Sequence, residues 1–155
     1  MLSLLIDFTT LLLSALLVGA MFCVWLLLDP AHLDYQRYIV LHQQGIRTLD
    51  PALPRLGVLT IVLTLAAAFL ARQDTPRMGT LIAAAIFFII AGVITRTANM
   101  PINVFVLRWS SSAPPDNWMT LRETWWLWHR LRTLSGTVGL ALLITAALLR
   151  RHPSP

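Results

Sequence analysis

The stretch TLSGTVGLALLITAALL, residues 133–149, contains no charged side chain and directly follows a polar, aromatic segment. An α-helix needs about 17–25 mainly apolar residues to cross the hydrocarbon core of a bilayer. Three other uncharged stretches approach this length: Phe8–Leu28, Leu56–Ala71 and Met78–Thr95. Four such stretches in one chain predict an all-α fold, a four-helix transmembrane bundle.

Composition also places the chain in a membrane. Of its 155 residues, 57% are hydrophobic and only 12% are charged, whereas soluble domains carry about 25% charged residues. We expect a single integral membrane domain over residues 1–155, with spans near residues 5–28, 54–71, 78–98 and 130–149. The expected location is the bacterial inner membrane. No basic residue precedes the first span, which is longer than the roughly 7–15 apolar residues of a signal peptide, so we expect it to be retained.

The net charge of +5 comes from arginine alone, because the chain contains no lysine. These arginines flank the apolar stretches, where basic side chains anchor and orient spans, so the expected partner is the lipid bilayer and not nucleic acid. The arginine count favours a cytoplasmic position for the long connections, but acids such as Asp34 and Asp50 lie there too and leave the orientation open. A homo-oligomer is compatible with these features.

The first two connections between spans differ in character. Arg72–Arg77 is short and makes the second and third spans an antiparallel hairpin. The first connection, Asp29–Arg55, is long and contains a helical pattern over Ala31–Leu49. One face of this helical first connection carries Tyr35, Ile39, His42 and Ile46.

The third connection is expected to run from Arg96 to about Asn117, and it contains two consecutive prolines that cannot continue a helix. Asp116 or Asn117 can cap the fourth helix, which begins near Trp118. This helix should extend beyond the apolar stretch at its start and end near residues 150–151.

One face of the fourth helix carries an unusual set of polar and aromatic side chains. Steps of four, three, four and three residues place five of them together: Trp118, Arg122, Trp125, His129 and Arg132. Polar groups at membrane depth are costly and tend to face a bundle interior or a water-filled cavity. Arg122 needs a partner on another element, because its neighbour Glu123 projects about 100° away on the helix. The candidate partners are Asn103, Asp34 and Asp50.

Arg96, Asn99 and Asn103 share a face where the third span is expected to end. Pro101 lacks a backbone donor and favours a kink there. Two interpretations are open. The asparagines can cap loose backbone groups at a helix end, or both amides can point into a polar cavity shared with the fourth helix.

His129 lies one turn from both Trp125 and Arg132. Its imidazole can serve as a structural hydrogen-bonding group, or it can accept a proton from a ligand. Nearby arginines disfavour the imidazolium and keep the ring neutral, as a base requires. No Gly-x-Gly-x-x-Gly, Walker or Gly-x-Ser-x-Gly pattern occurs, so nucleotide cofactors and serine hydrolase chemistry have no support.

No cofactor is expected, although a metal ion or heme stays possible. His42 and His129 are the first candidates to hold a metal, either in a facial triad with a carboxylate such as Glu123 or as two axial ligands of heme. The signal is weak, because no His-x-x-x-His or Cys-x-x-Cys pair is present.

Several motifs together resemble the membrane family that includes the anthrone oxygenases. They are Gly19-Ala-Met-Phe22, His42-Gln-Gln-Gly-Ile46 followed by Leu49-Asp-Pro51 and Pro54, Asn99-Met-Pro101-Ile-Asn103, and the series Trp118, Arg122, Trp125 or Trp126, His129, Arg132 and Thr133. The resemblance implies a four-helix membrane protein. Some members of that family oxidise anthrones to anthraquinones with molecular oxygen and no known cofactor.

The expected function is therefore a membrane oxygenase or oxidoreductase acting on a lipophilic aromatic molecule, anthrone-, phenol- or quinone-like. Its cavity is expected between the third and fourth spans, under the first connection. The expected catalytic residues are His129, as the base, Asn103 and Arg122. The oxyanion is expected to be held by Asn99, Asn103, Arg122 and Arg132. The expected substrate-binding residues are Asn99, Trp125, Arg132, Arg96 and His42. The alternative is a non-catalytic module that binds heme, quinone or another small molecule, or a subunit of a larger membrane complex.

Overall fold

The computed structural model describes residues 1–149, so the predicted helix end at residues 150–151 and the predicted tail from His152 lie outside the described residues. In the described part of the chain there is no β-strand, and four helical segments are long and apolar enough to cross a membrane. The predicted all-α fold with four spans is confirmed. The helices are α1 (Leu2–Leu27), α2 (Tyr35–Leu49), α3 (Leu53–Leu70), α4 (Thr75–Ile94), a π-helix (Thr95–Asn99), α5 (Met100–Val106) and α6 (Trp118–Leu148).

The bundle forms where α1, α3, α4 and α6 pack side by side. Small residues allow close approach, as is common where helices pack in membranes. A methyl group added at Gly136 of α6 would lie 2.7 Å from Met21 Cε of α1, and one at Gly139 would lie 3.1 Å from the Phe88 ring of α4. These contacts bring the part of α6 just past its middle against α1 and α4.

A buried ion pair joins α1 to α4 at the end of the bundle where both helices begin. Arg77 Nη2 donates to Asp7 Oδ2 at 2.5 Å, and the two side chains are only 10% and 14% exposed. Buried hydroxyls deeper in the bundle, including those of Thr60 and Thr64, bond to carbonyls one turn earlier in their own helix. The hydroxyls of this half are therefore satisfied locally.

The first connection forms a short 3₁₀ turn and then α2. The helix begins at Tyr35, later than predicted, because the Asp34 side chain caps it by accepting from the Arg37 backbone N–H at 2.8 Å. Its buried face contains Tyr38, Ile39, His42 and Ile46. Gln43 Nε2 donates to the carbonyls of Val106 and Trp109 at 2.8 and 3.0 Å, which fixes α2 against the end of α5.

The third span continues further than predicted. Helical structure runs through the π-helix and α5 to Val106, so the connection expected to start at Arg96 begins about ten residues later. Pro101 lies in the first turn of α5, where its missing N–H is best tolerated, directly after the wider π-helical turn. The helix of α6 begins at Trp118 as predicted, but Asn117 makes no side-chain capping bond.

Candidate functional site

A cavity of about 150 Å³ lies in the half of the bundle near α2. The second half of α1, α2, the start of α3, the end of α4, the π-helix, α5 and α6 all contribute to its lining. Most of the lining is apolar, with Leu17, Met21 and Phe88 among the side chains. One side is polar, and we call it the polar wall: His42, Asp50, Asn103, His129 and Arg132. The cavity was predicted between the third and fourth spans, but α1 and α3 also line it.

Trp125 is buried among the side chains of the polar wall and contacts three of them. Its indole Nε1 donates to Asn103 Oδ1 at 2.7 Å. The indole stacks on the His129 ring, with centroids 4.9 Å apart and planes 8° from parallel. It also packs against the His42 ring, whose centroid lies 4.2 Å from that of the indole. Three side chains from three helices therefore take their positions from one aromatic ring.

Asn103 connects Trp125 to Asp50. Its Nδ2 donates to Asp50 Oδ2 at 2.9 Å, while its Oδ1 accepts from the indole. The orientation of the amide is fixed by chemistry, because an indole N–H can only donate and an ionised carboxylate can only accept. A directed series of hydrogen bonds thus runs from α6 through α5 to the end of α2.

Hydrogen bonds define the tautomer of His129. Its Nε2 lies 2.9 Å from the Met21 carbonyl, which can only accept, so Nε2 carries the proton. Its Nδ1 then accepts from Arg132, whose Nε and Nη2 lie at 3.1 and 2.8 Å. Both ring nitrogens are engaged, and the neutral imidazole has no free lone pair for a ligand.

Arg132 is held between His129 and the π-helix. Besides its contacts to His129, its Nη1 donates to Thr95 Oγ1 at 3.2 Å. These contacts use three of the five N–H groups of a guanidinium. The side chain lines the cavity, so the positive charge of the polar wall is fixed in place before any ligand binds.

His42 differs from His129 because one of its ring nitrogens has no hydrogen-bond partner among the described residues. Its Nδ1 lies 2.7 Å from Tyr38 Oη, and within residues 1–149 its buried Nε2 has no hydrogen-bond partner. Burial lowers the pKa of His42 to about 3, the nearby Asn103 side chain opposes this and the charge of Arg132 adds to it. The imidazole is therefore neutral in the ligand-free protein, and it lines the cavity.

The structure brings together most of the residues that the sequence singled out. His42, Asn103, Trp125, His129 and Arg132 all line the cavity. Asn99 lies next to them, where its Nδ2 donates to the Trp125 carbonyl at 2.9 Å. Asn99 therefore bonds to the backbone of Trp125, whereas Asn103 bonds to its indole. Asn99 does not line the cavity.

Two predicted site residues lie elsewhere. Arg96 is exposed, because the π-helix changes the register that would have aligned it with the asparagines. Arg122 is not at the cavity. Its Nη2 donates to Glu123 Oε1 at 2.7 Å, and its guanidinium lies over the Trp118 ring at 4.8 Å. The expectation that Arg122 cannot pair with Glu123 is wrong, since two long side chains can meet although their Cβ atoms diverge.

Sequence reasoning missed two participants. The sequence suggested Asp50 as a side-chain partner only for Arg122, yet it lines the cavity and bonds to Asn103. Tyr38 lies four residues before His42, a spacing that places two side chains on one helical face and could have indicated their contact. Asp50 had no such local signal, because its partner is more than 50 residues away.

The residues present do not fit the metal sites that the sequence left open. Glu123 is exposed, and its carboxylate is bonded to Arg122. Residues 1–149 contain no group of three His, Cys, Asp or Glu side chains that could hold a metal ion. As an axial ligand of heme, His129 would have to give up its bond to the Met21 carbonyl or to Arg132.

Comparison with known families covers most of this site. The family model for anthrone oxygenase matches residues 50–142, more than half of the chain. The matched segment includes four members of the polar wall, from Asp50 to Arg132, and Trp125, whereas His42 and Tyr38 precede it. No curated protein and no solved structure matches the chain. The chain belongs to the anthrone oxygenase family.

Proposed function

We propose that the protein is a membrane oxygenase that oxidises a lipophilic aromatic molecule, anthrone-, phenol- or quinone-like, in the cavity beside the polar wall. One observation carries the proposal: in a member of this family, an apolar cavity contains a fixed guanidinium, that of Arg132. The apolar sides would accept a fused aromatic ring, and the polar wall would receive its oxygen. We place the protein in the bacterial inner membrane.

The reaction needs a stabilised anion. An anthrone that loses a proton from its methylene carbon becomes an electron-rich enolate, which reacts with molecular oxygen. One oxygen atom becomes the new carbonyl of the anthraquinone, and the other leaves as water. Because the substrate anion itself supplies the electrons, we propose that no bound cofactor takes part.

Arg132 and Asn103 are suited to hold the oxyanion. The Arg132 contacts leave two guanidinium N–H groups, and Asn103 Nδ2 has a second N–H besides the one donated to Asp50. Donors fixed in advance at the site of developing charge are among the largest contributors to catalysis. His129 and Thr95 would keep the guanidinium in position. Arg122 and Arg96 have no role in this proposal, because neither lines the cavity.

The test is oxidation of anthrone by the purified protein in lipid nanodiscs under oxygen, followed by the absorbance of anthraquinone. We expect the wild type to exceed the uncatalysed rate and Arg132→Gln to lower kcat by about 10²–10³-fold, the usual effect of removing an oxyanion donor. Arg37→Gln, on the exposed side of α2, is the matched control and should keep the wild-type rate. Equal rates for wild type and Arg132→Gln would contradict the proposal.

A second candidate function, passive binding of a quinone, rests on His42. If its unpartnered Nε2 carried a proton, it would donate to a quinone carbonyl without taking part in proton transfer. Such a module, alone or as a subunit of a larger complex, would bind quinone and form no anthraquinone from anthrone. A heme-binding module would instead show a Soret band in the visible spectrum.

A further inference from the structure

His42 is a buried imidazole to which the oxyanion chemistry gives no role. It is 1% exposed, and its ring lies between Tyr38, four residues earlier, and the Trp125 indole. Its Nε2 is the one imidazole nitrogen of the polar wall without a hydrogen-bond partner within the described residues 1–149. A buried polar atom of this kind needs an explanation, and a ligand in the cavity would provide one.

The surroundings favour a lone pair on that nitrogen. Tyr38 Oη can either donate to His42 Nδ1 or accept from it, so this contact alone leaves the tautomer open. Arg132 favours one of the two tautomers, because its positively charged side chain lines the same cavity as His42. That charge acts on the His42 ring, so a partly positive N–H at the unpartnered Nε2 would be disfavoured and a lone pair favoured. The tautomer that this charge favours has its proton on Nδ1 and donates it to Tyr38 Oη.

We propose that His42 is the proton acceptor of the oxygenase reaction and that Tyr38 is the positioning residue that fixes its tautomer. The inference rests on the proposed function and names a base different from the His129 expected from the sequence. The Nε2 lone pair forms an N–H bond as the substrate C–H bond breaks. The electron pair stays on the substrate, as an enolate whose oxygen faces Arg132.

The later steps return the proton. The substrate carbanion adds to molecular oxygen, and the imidazolium gives its proton to the resulting peroxide. A second C–H proton then passes to His42 as the O–O bond breaks, and the released hydroxide takes that proton to leave as water. Substrate carbon is oxidised, oxygen is reduced, and His42 ends neutral.

The electrostatics around His42 support this cycle. Burial, together with the charge of Arg132, lowers the pKa of His42 and disfavours the imidazolium, so the lone pair stays free to accept. When the enolate forms, its negative charge lies beside both His42 and Arg132 and favours the imidazolium. Tyr38, Asn103 and the Trp125 ring also face His42, and the His129 imidazole is close enough to interact with it electrostatically. Burial raises the pKa of Tyr38 well above its usual value, so its hydroxyl stays neutral throughout.

The first test reads the tautomers directly, without any activity. The chain has only four histidines, so ¹⁵N-histidine labelling with single His→Gln variants assigns each ring by NMR. We expect the proton on Nδ1 in His42 and on Nε2 in His129. A His42 with its proton on Nε2 would overturn the proposal and support the quinone-binding alternative.

The second test measures proton transfer without oxygen. The methylene protons of anthrone exchange with D₂O, and mass spectrometry follows the rate under anaerobic conditions with the protein in nanodiscs. We expect His42→Gln to lower the protein-catalysed rate by about 10²–10⁴-fold, the usual contribution of a general base. His32→Gln is the matched control, because His32 is exposed in the first connection, and it should exchange like the wild type.

Tyr38→Phe separates positioning from mere packing. It keeps the ring that contacts Trp118 and removes the hydroxyl that bonds to His42. We expect the Kd for anthrone to stay unchanged while the exchange rate falls about tenfold and the His42 tautomer becomes mixed. An unchanged tautomer and exchange rate would overturn the assigned role of Tyr38.

The outcomes for His42 and for the oxygenase are distinguishable. Anaerobic exchange that depends on His42, without anthraquinone under oxygen, would refute the oxygenase and keep the base. Full oxidation by His42→Gln, or no accelerated exchange by wild type that binds anthrone, would refute the base. If His42→Gln fails to fold, the tautomer of the wild type still decides.

Discussion

At the scale of single residues, Trp125 determines the geometry of the polar wall. Its indole N–H orients Asn103, its ring face supports His129, and its backbone carbonyl accepts from Asn99. A phenyl ring in its place could still stack but could not donate. The hydrogen bond and the stacking are therefore separable by one substitution.

Trp125→Phe should leave Asn103 Oδ1 without its donor in a buried position. A buried acceptor that loses its partner costs about 1–3 kcal/mol, so the free energy of unfolding should fall by that amount. Guanidinium or SDS titration in detergent micelles measures it. Trp128→Phe on the same helix is the control, because Trp128 is 37% exposed. The same loss in both variants would mean that the Trp125–Asn103 bond contributes nothing specific.

Helical periodicity predicted part of the site, and it did so for a physical reason. A spacing of three and four residues determines the direction of the Cβ atoms, so Trp125, His129 and Arg132 were expected on one side, as observed. Periodicity does not determine side-chain torsions or the docking of a distant helix. For that reason it gave neither the Arg122–Glu123 contact nor the bond between Asn103 and Asp50.

At the scale of elements, the π-helix aligns α4 with α5. A π-helical turn holds one residue more than an α-helical turn, so it rotates everything after it relative to the face before it. Thr95 at its start contacts Arg132, and Asn103 beyond its end contacts Trp125. We infer that the extra residue is what lets both contacts form together.

Deleting Thr97 should convert this turn to regular α-helix and rotate Asn103 by about 100° relative to Thr95. We expect the loss of anthrone binding, measured by the quenching of tryptophan fluorescence, in a protein that still inserts into membranes. Thr97→Ala is the control, because it removes the same exposed side chain and keeps the residue count. Normal binding by the deletion variant would show that the extra residue has no role in alignment.

The sequence predicted the spans better than their ends. Uncharged length identifies a helix that can cross the bilayer, and all four spans were found this way. Proline and asparagine after Arg96 indicated an end to the third span, but the helix continues to Val106. A proline is tolerated in the first turn of a helix such as α5, and the same residues in the same order can also end a helix, so the local sequence does not separate the two cases.

At the scale of the whole molecule, the two ends of the bundle have different roles. One end contains the cavity, and the other contains the buried pair of Asp7 and Arg77 that joins α1 to α4. The two sites share α1 and α4 but no side chain. Stability and ligand binding should therefore respond to different substitutions.

Asp7→Asn should leave the guanidinium of Arg77 buried without its counter-charge. Breaking one partner of a buried pair costs about 3–5 kcal/mol, and the loss should appear as a lower midpoint of SDS unfolding. The double variant Asp7→Leu with Arg77→Met removes both charges and should recover most of the stability. A double variant no more stable than Asp7→Asn would show that the charges act through other partners. Anthrone affinity of the folded protein should not change in either variant.

The apolar lining of the cavity bears on which substrate concentration controls binding. The cavity lies inside a bundle of four membrane-spanning helices, and a fused aromatic molecule partitions strongly into hydrocarbon. For the substrate proposed above, the concentration that the protein experiences is the mole fraction of substrate among lipids, and its molarity in water matters little. Extra phospholipid would dilute the substrate. The same amount of substrate would then saturate the protein in a lipid-poor membrane and leave it mostly unoccupied in a lipid-rich one.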